Sequence, residues 1–113
     1  MIIDAHTHCY AEEVIANPVK FAHKQKESHW LQLVKPAKGK SLQGWANRTE
    51  MLSQMRSEGV DRVILQGWYW ENPDTCILQN DWHAQWIQQD PLKFIGFMSC
   101  LLYTSDAADD TPC

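Results

Sequence analysis

Val60-Asp61-Arg62-Val63-Ile64-Leu65-Gln66-Gly67 is a nearly continuous apolar run closed by glycine. Runs of this kind are buried on both faces in a parallel sheet, so the stretch reads as a central strand. Upstream, Asn47 with Glu50 three residues on has the form of a capping box, Met51, Leu52 and Met55 give an apolar stripe, and Gly59 is placed to end the element. These signals predict a helix over residues 48–58. Downstream, Asn72-Pro73-Asp74 is a turn and helix start, and Leu78, Trp82 and Trp86, flanked by Ile77, Ala84 and Ile87, mark an amphipathic helix that stops at Asp90-Pro91. At that spacing the tryptophans read as core, and a helix surface accounts for Asn80, Asp81 and His83. Lys93-Phe94-Ile95-Gly96-Phe97-Met98-Ser99 then reads as a further buried strand.

At the start of the chain, Ile2-Ile3-Asp4-Ala5-His6-Thr7-His8 reads as a buried strand ending in two histidines. Strict alternation would put Asp4, His6 and His8 on one face, and Ile3, Ala5 and Thr7 on the other. Two neutral imidazoles projecting side by side are preorganised to hold two corners of a zinc or other transition-metal coordination sphere. Two ligands do not close a site, because a catalytic zinc takes three protein ligands plus water. An isolated His-x-His is more often a solvated or hydrogen-bonded pair at a strand end. Here it ends an apolar run, carries Asp4 and opens a series of βα units, which shifts the reading to metal ligation.

The resulting order is strand, long loop, helix, strand, helix, strand, which argues for right-handed βαβ units and a parallel sheet. The loop, residues 10–44, has poor periodicity and is punctuated by Pro18, Pro36 and Gly39. Phe21, Ala22, Trp30, Leu31 and Val34 are partly spaced for a helix within residues 22–34, and His23 and His29 read as solvated. Trp68-Tyr69-Trp70 follows the central strand at the end where a barrel enzyme places pocket residues; packing between strand and helix layers explains these aromatics equally well.

The chain has 113 residues, suiting one small domain, and 44% hydrophobic content, enough to bury a core. No apolar run is long enough for a transmembrane helix and no signal-like segment is present, so a cytoplasmic protein without membrane association is expected. The net charge of -4 and the absence of a basic block argue against nucleic acid as the main partner, although residues 20–40 are lysine-rich. Cys9, Cys76, Cys100 and Cys113 match neither a metal-ligand pair nor a secreted scaffold and read as free thiols.

With Asp4, His6 and His8 matching an Asp-x-His-x-His signature on a first strand, the chain resembles the amidohydrolase superfamily, in its amidohydrolase-related branch of small-acid hydrolases and decarboxylases. Gly59-Val60-Asp61-Arg62-Val63, Gln79-Asn80-Asp81-Trp82 and Pro91-Leu92-Lys93-Phe94-Ile95-Gly96-Phe97 also look like βα segments of that family, so the resemblance spans residues 1–99. It implies a TIM-type (β/α)8 barrel, of which about three βα units are present. It also implies a divalent metal, zinc first, held by His6 and His8, with Asp4 orienting a ligand histidine or bracing the strand. The substrate would be a small organic molecule, attacked by metal-activated water or polarised by the metal. The other ligands and the catalytic acid/base of the family belong to later strands, so this chain is expected to be an N-terminal portion, inactive alone, of a parent for which a homo-oligomer is allowed. The alternatives are a metal-dependent phosphoesterase or nuclease of a related barrel and a non-catalytic truncated product.

Residues 100–113 have the character of neither a further βα unit nor a helix cap. The run from Cys100 to Asp109 can be written TGT CTC TTA TAC ACA TCT GAC GCT GCC GAC, a transposase-type sequencing adapter, so the tail is expected to be translated adapter. Without its Asp106, Asp109 and Asp110 the acidic residues fall from 14 towards parity with the 10 Lys and Arg, and most of the apparent acidity goes with them.

Overall fold

A computed structural model of the chain describes residues 1–35, 38 and 44–99. The proposed tail, residues 100–113, and Pro36 and Gly39 of the long loop lie outside them. The fold is mixed α/β: three parallel strands, β1 (Ile3–His8), β2 (Arg62–Gln66) and β3 (Phe94–Gly96), lie in the order β1-β2-β3. Helices α1 (Glu12–Ala16), α2 (Pro18–Gln25), α3 (Ser28–Val34) and α4 (Arg48–Glu58) fall between β1 and β2, and α5 (Pro73–Gln89) falls between β2 and β3. No helix among the described residues is long and apolar enough to cross a membrane.

Helix α4 is bounded by local chemistry. The Asn47 side chain accepts the Glu50 N–H at 2.8 Å and the Glu50 side chain accepts the Asn47 N–H at 3.3 Å, satisfying two donors that a helix start leaves free. At the other end Gly59 takes a left-handed conformation, φ 71°, which lets Val60 N–H reach back to the Met55 carbonyl and turns the chain into β2. The start of β1 is stitched to this turn, as Ile2 N–H donates to the Asp61 carboxylate at 2.7 Å and Asp61 N–H donates to the Ile2 carbonyl.

Val63 and Leu65 of β2 and Phe94 of β3 are buried together with Met55, Trp82 and Trp86 in the core. In α5 the buried positions are Thr75, Cys76, Gln79, Trp82, His83 and Trp86, a stripe at helical spacing that is half polar. His83 and Asn80 therefore differ from the surface role expected of them: His83 is buried and Asn80 half-buried, while Asp81 is exposed. Their partners explain the placement. His83 Nδ1 donates to the Phe97 carbonyl at 3.0 Å, and Asn80 exchanges two hydrogen bonds with the Ser99 backbone, at 2.9 and 2.8 Å. Both side chains satisfy backbone groups beyond the end of β3, where no further ladder bond is formed.

The segment after β1 is more ordered than its periodicity suggests. Pro18 sits at the first turn of α2, where a missing N–H costs nothing, and Asn17 caps that helix through Lys20 N–H at 3.1 Å. The three short helices deliver Val14, Phe21, Trp30 and Val34 to one buried cluster with Tyr10 and Trp70. They are held by that shared burial rather than by long amphipathic faces. His23 and His29 are exposed.

Candidate functional site

β1 brings His6 and His8 together at the end of the sheet where β2 delivers Gln66, Gly67 and Trp68. Asp4 aligns with Val63 and Thr7 with Leu65, so three steps along β1 match two along β2 and the strand carries one extra residue between Asp4 and Thr7. Strict alternation from Asp4 to His8 is thus interrupted. The Asp4 carboxylate accepts the His6 backbone N–H at 3.0 Å within this irregularity. Beyond it, Thr7 Oγ1 donates to the Ile64 carbonyl at 3.0 Å, and His8 aligns with Gln66.

The His6 and His8 rings lie edge to face with centroids 5.3 Å apart. The two are held differently. His8 Nδ1 lies 3.1 Å from the Gln66 carbonyl, and because a carbonyl only accepts, the proton of neutral His8 resides on Nδ1 and Nε2 keeps its lone pair. Burial pulls the pKa of His8 below its ordinary value; the Gln66 carbonyl opposes this, and the charges of His6 and His83 add to it. His8 is therefore neutral at neutral pH, the form in which an imidazole binds metal. His6 is exposed.

Around the pair lies a pocket of about 480 Å³, walled by Leu33, Val34, Trp45, Met51, Gln54 and Trp68. The three aromatics after β2 have separate fates. Trp68 borders this pocket and stacks on His8, with centroids 4.4 Å apart and planes 20° apart. Tyr69 is 90% exposed, whereas Trp70 is 2% exposed and donates its indole N–H to Gln79 Oε1 at 2.7 Å. Tyr69 and Trp70 instead border a second depression beside β3, with Phe97 and Ser99.

Gln79 organises this end of the sheet. Its Oε1 also accepts the Trp68 backbone N–H at 2.9 Å, and its Nε2 donates to Ser99 Oγ at 2.7 Å. Gly67 leaves room for that amide, since a Cβ there would overlap both Gln79 Nε2 and Ser99 Oγ. Tyr10, whose hydroxyl accepts the Trp68 indole N–H at 2.6 Å, is singled out by no motif or spacing. Gln79 lies in the Gln79-Asn80-Asp81-Trp82 segment of the resemblance and on the buried stripe of α5, but neither signal gives it a role.

Cys9 and Cys76 are buried free thiols. Burial raises the pKa of both, so they are protonated and unreactive at neutral pH. Among the described residues no group of three or more His, Cys, Asp or Glu side chains could hold a metal ion. His6 and His8 are two imidazoles, one fewer than the three protein ligands of a catalytic zinc. No protein-family model, curated protein or solved structure matches the chain.

Proposed function

We propose that this chain carries the first two ligands of a metal-dependent hydrolase or decarboxylase of the amidohydrolase type, cytoplasmic and acting on a small organic substrate. The observation that carries the reading is His8. It is neutral, its Nδ1–H is committed to the Gln66 carbonyl, its Nε2 is left as a donor, and it stands beside His6 on the rim of a pocket. A backbone carbonyl on the non-ligating nitrogen is the usual outer partner of a ligand histidine. Three parallel strands in sequential order, joined through helices, support placing them as the opening βα units of a (β/α)8 barrel, whose sites form at the strands' C-terminal ends.

A divalent ion, zinc first, would be held by His6 and His8 together with ligands from beyond these strands, and when bound it would supply Lewis acidity towards water or a substrate carbonyl. The residues present do the positioning. Asp4 ties down the His6 backbone, Gln66 sets the tautomer of His8, and Leu33, Trp45 and Met51 give the pocket an apolar wall.

Cobalt(II) titration followed by visible absorption tests the ligand pair. The chain is expected to take up one equivalent weakly, and His6→Ala or His8→Ala to abolish uptake; uptake unchanged in both variants would overturn the assignment. Long reads of the source DNA past the Ser99 codon test the rest. Further βα units with histidines at strand ends and a late aspartate are expected, and a stop codon soon after residue 113 would remove both the enzyme class and the adapter reading.

A further inference from the structure

Sequence position leaves Trp68 open between pocket lining and packing, and its surroundings give it a further task. Trp68 is tied at both ends of the residue: the indole N–H donates to Tyr10 Oη at 2.6 Å, and the backbone N–H donates to Gln79 Oε1 at 2.9 Å. Both partners are themselves fixed. Tyr10 is buried, with its ring 4.9 Å from Trp45 and 6.2 Å from Trp30. Gln79 is buried and also held by Trp70 and Ser99. Against this immobile indole lies the His8 ring, nearly parallel to it at 4.4 Å.

A single hydrogen bond from Nδ1 to the Gln66 carbonyl fixes one point of an imidazole and leaves the ring free to tilt about that point. A rigid planar surface against its face removes the remaining freedom. Among the described residues His6 has no such surface, being exposed and meeting the His8 ring edge to face. We propose that Trp68 is a positioning residue that clamps the plane of His8, so that of the two imidazoles that would hold a metal His8 is the one preset in orientation. The helices between β1 and α4 then serve the site indirectly, because the aromatic cluster they bury holds Tyr10, which holds Trp68.

The assignment rests on His8 being a ligand, so its test starts on metal-free protein, where the clamp can fail separately from ligation. Long-range ¹H–¹⁵N correlation of the histidine rings reads tautomer and ring order. Wild type is expected to show His8 as a single Nδ1–H tautomer and His6 as an averaged mixture. Trp68→Leu is expected to average the His8 signals and lower cobalt(II) affinity about tenfold, the scale seen when outer partners of a ligand histidine are removed. Trp68→Phe, which keeps a ring to stack on, is expected to restore the single tautomer. Tyr10→Phe deletes one oxygen from a buried ring and is expected to broaden His8 while leaving the amide spectrum of β1 and β2 intact, so the test survives if Trp68→Leu does not fold. A His8 tautomer unchanged in Trp68→Leu, or in Tyr10→Phe where that is the folded variant, overturns the clamp. Averaged His8 in the variants with no cobalt uptake by wild type retains the clamp and removes the ligand reading instead.

Discussion

Glu27 and Asn72 are joined by two hydrogen bonds across 45 residues of sequence: the Glu27 carboxylate accepts the Asn72 backbone N–H at 3.0 Å and its side-chain amide at 3.3 Å. The same carboxylate accepts the Glu71 N–H at 2.8 Å, and Asn72 in turn donates to the Gln25 and Lys26 carbonyls. Glu27 has no solvent exposure. This knot fastens the end of α2 to the loop that leads from Trp68–Trp70 into α5.

Glu27→Ala is expected to lower stability by about 2 kcal/mol, because it strands the part-buried backbone donors of Glu71 and Asn72. Urea unfolding measures it. A loss below about 1 kcal/mol would mean that the loop rearranges to satisfy those donors itself.

A methyl group on Gly67 has nowhere to go. Side-chain ends often move aside, but the Gln79 amide is pinned by Trp68, Trp70 and Ser99. Gly67→Ala is therefore expected to cost about 2 kcal/mol through displacement of that amide. The loss should shrink in Gln79→Ala, where only the Ser99 hydroxyl still obstructs and is no longer held by the Gln79 amide, and equal losses in the two backgrounds would contradict the packing argument.

Removing the cap of α4 separates local from tertiary stability. Asn47→Ala is expected to cost about 1 kcal/mol, and Asn47→Asp to cost little, since a carboxylate caps as well as an amide. Thermal unfolding of the two variants decides it, and equal melting temperatures would remove the cap from the account of this helix.

His83 gives the fold a pH dependence. Burial pulls its pKa below the ordinary 6.5, opposed by the bond to the Phe97 carbonyl, and its Nε2 is buried without a partner. The unfolded chain binds the proton more readily than the fold does. Stability from this group is thus complete above about pH 6.5 and is lost as pH falls through that value and on through the folded pKa. Wild type is expected to lose more stability than His83→Gln between about pH 7.5 and about pH 5, measured by urea midpoints. Parallel losses would assign the effect to other groups.

The elements with strong local signals were legible. The helix expected over residues 48–58 is α4, with both halves of its capping box formed, and the apolar runs are β2 and β3, somewhat shortened. His6 and His8 do stand side by side. What stayed hidden depends on contacts between distant residues. The helix expected within residues 22–34 is two, α2 and α3, parted at Lys26, whose left-handed conformation ends α2, and they are held because Phe21, Trp30 and Val34 share a core, while α1 is too short to show a period. β1, expected to be buried, is exposed over Ile3–His6, because it is an edge strand paired with β2 alone among the described residues. Glu27, Gln79 and His83 are polar residues at core positions, and nothing near them in sequence names their partners. The extra residue in β1 is visible only against the register of β2, and it is this that separates Asp4 from the simple alternation of His6 and His8.

The amide of Gln79 serves two strand ends at once, taking the backbone of the loop after β2 and the hydroxyl of Ser99 beyond β3. Opening of either segment therefore requires α5 to release the other. The two should exchange their amide protons together, as one cooperative unit with one opening free energy. The floor beneath His8 is then dynamically part of the third strand, although twenty positions of chain, covering the second half of α5, a turn and β3, separate Gln79 from Ser99.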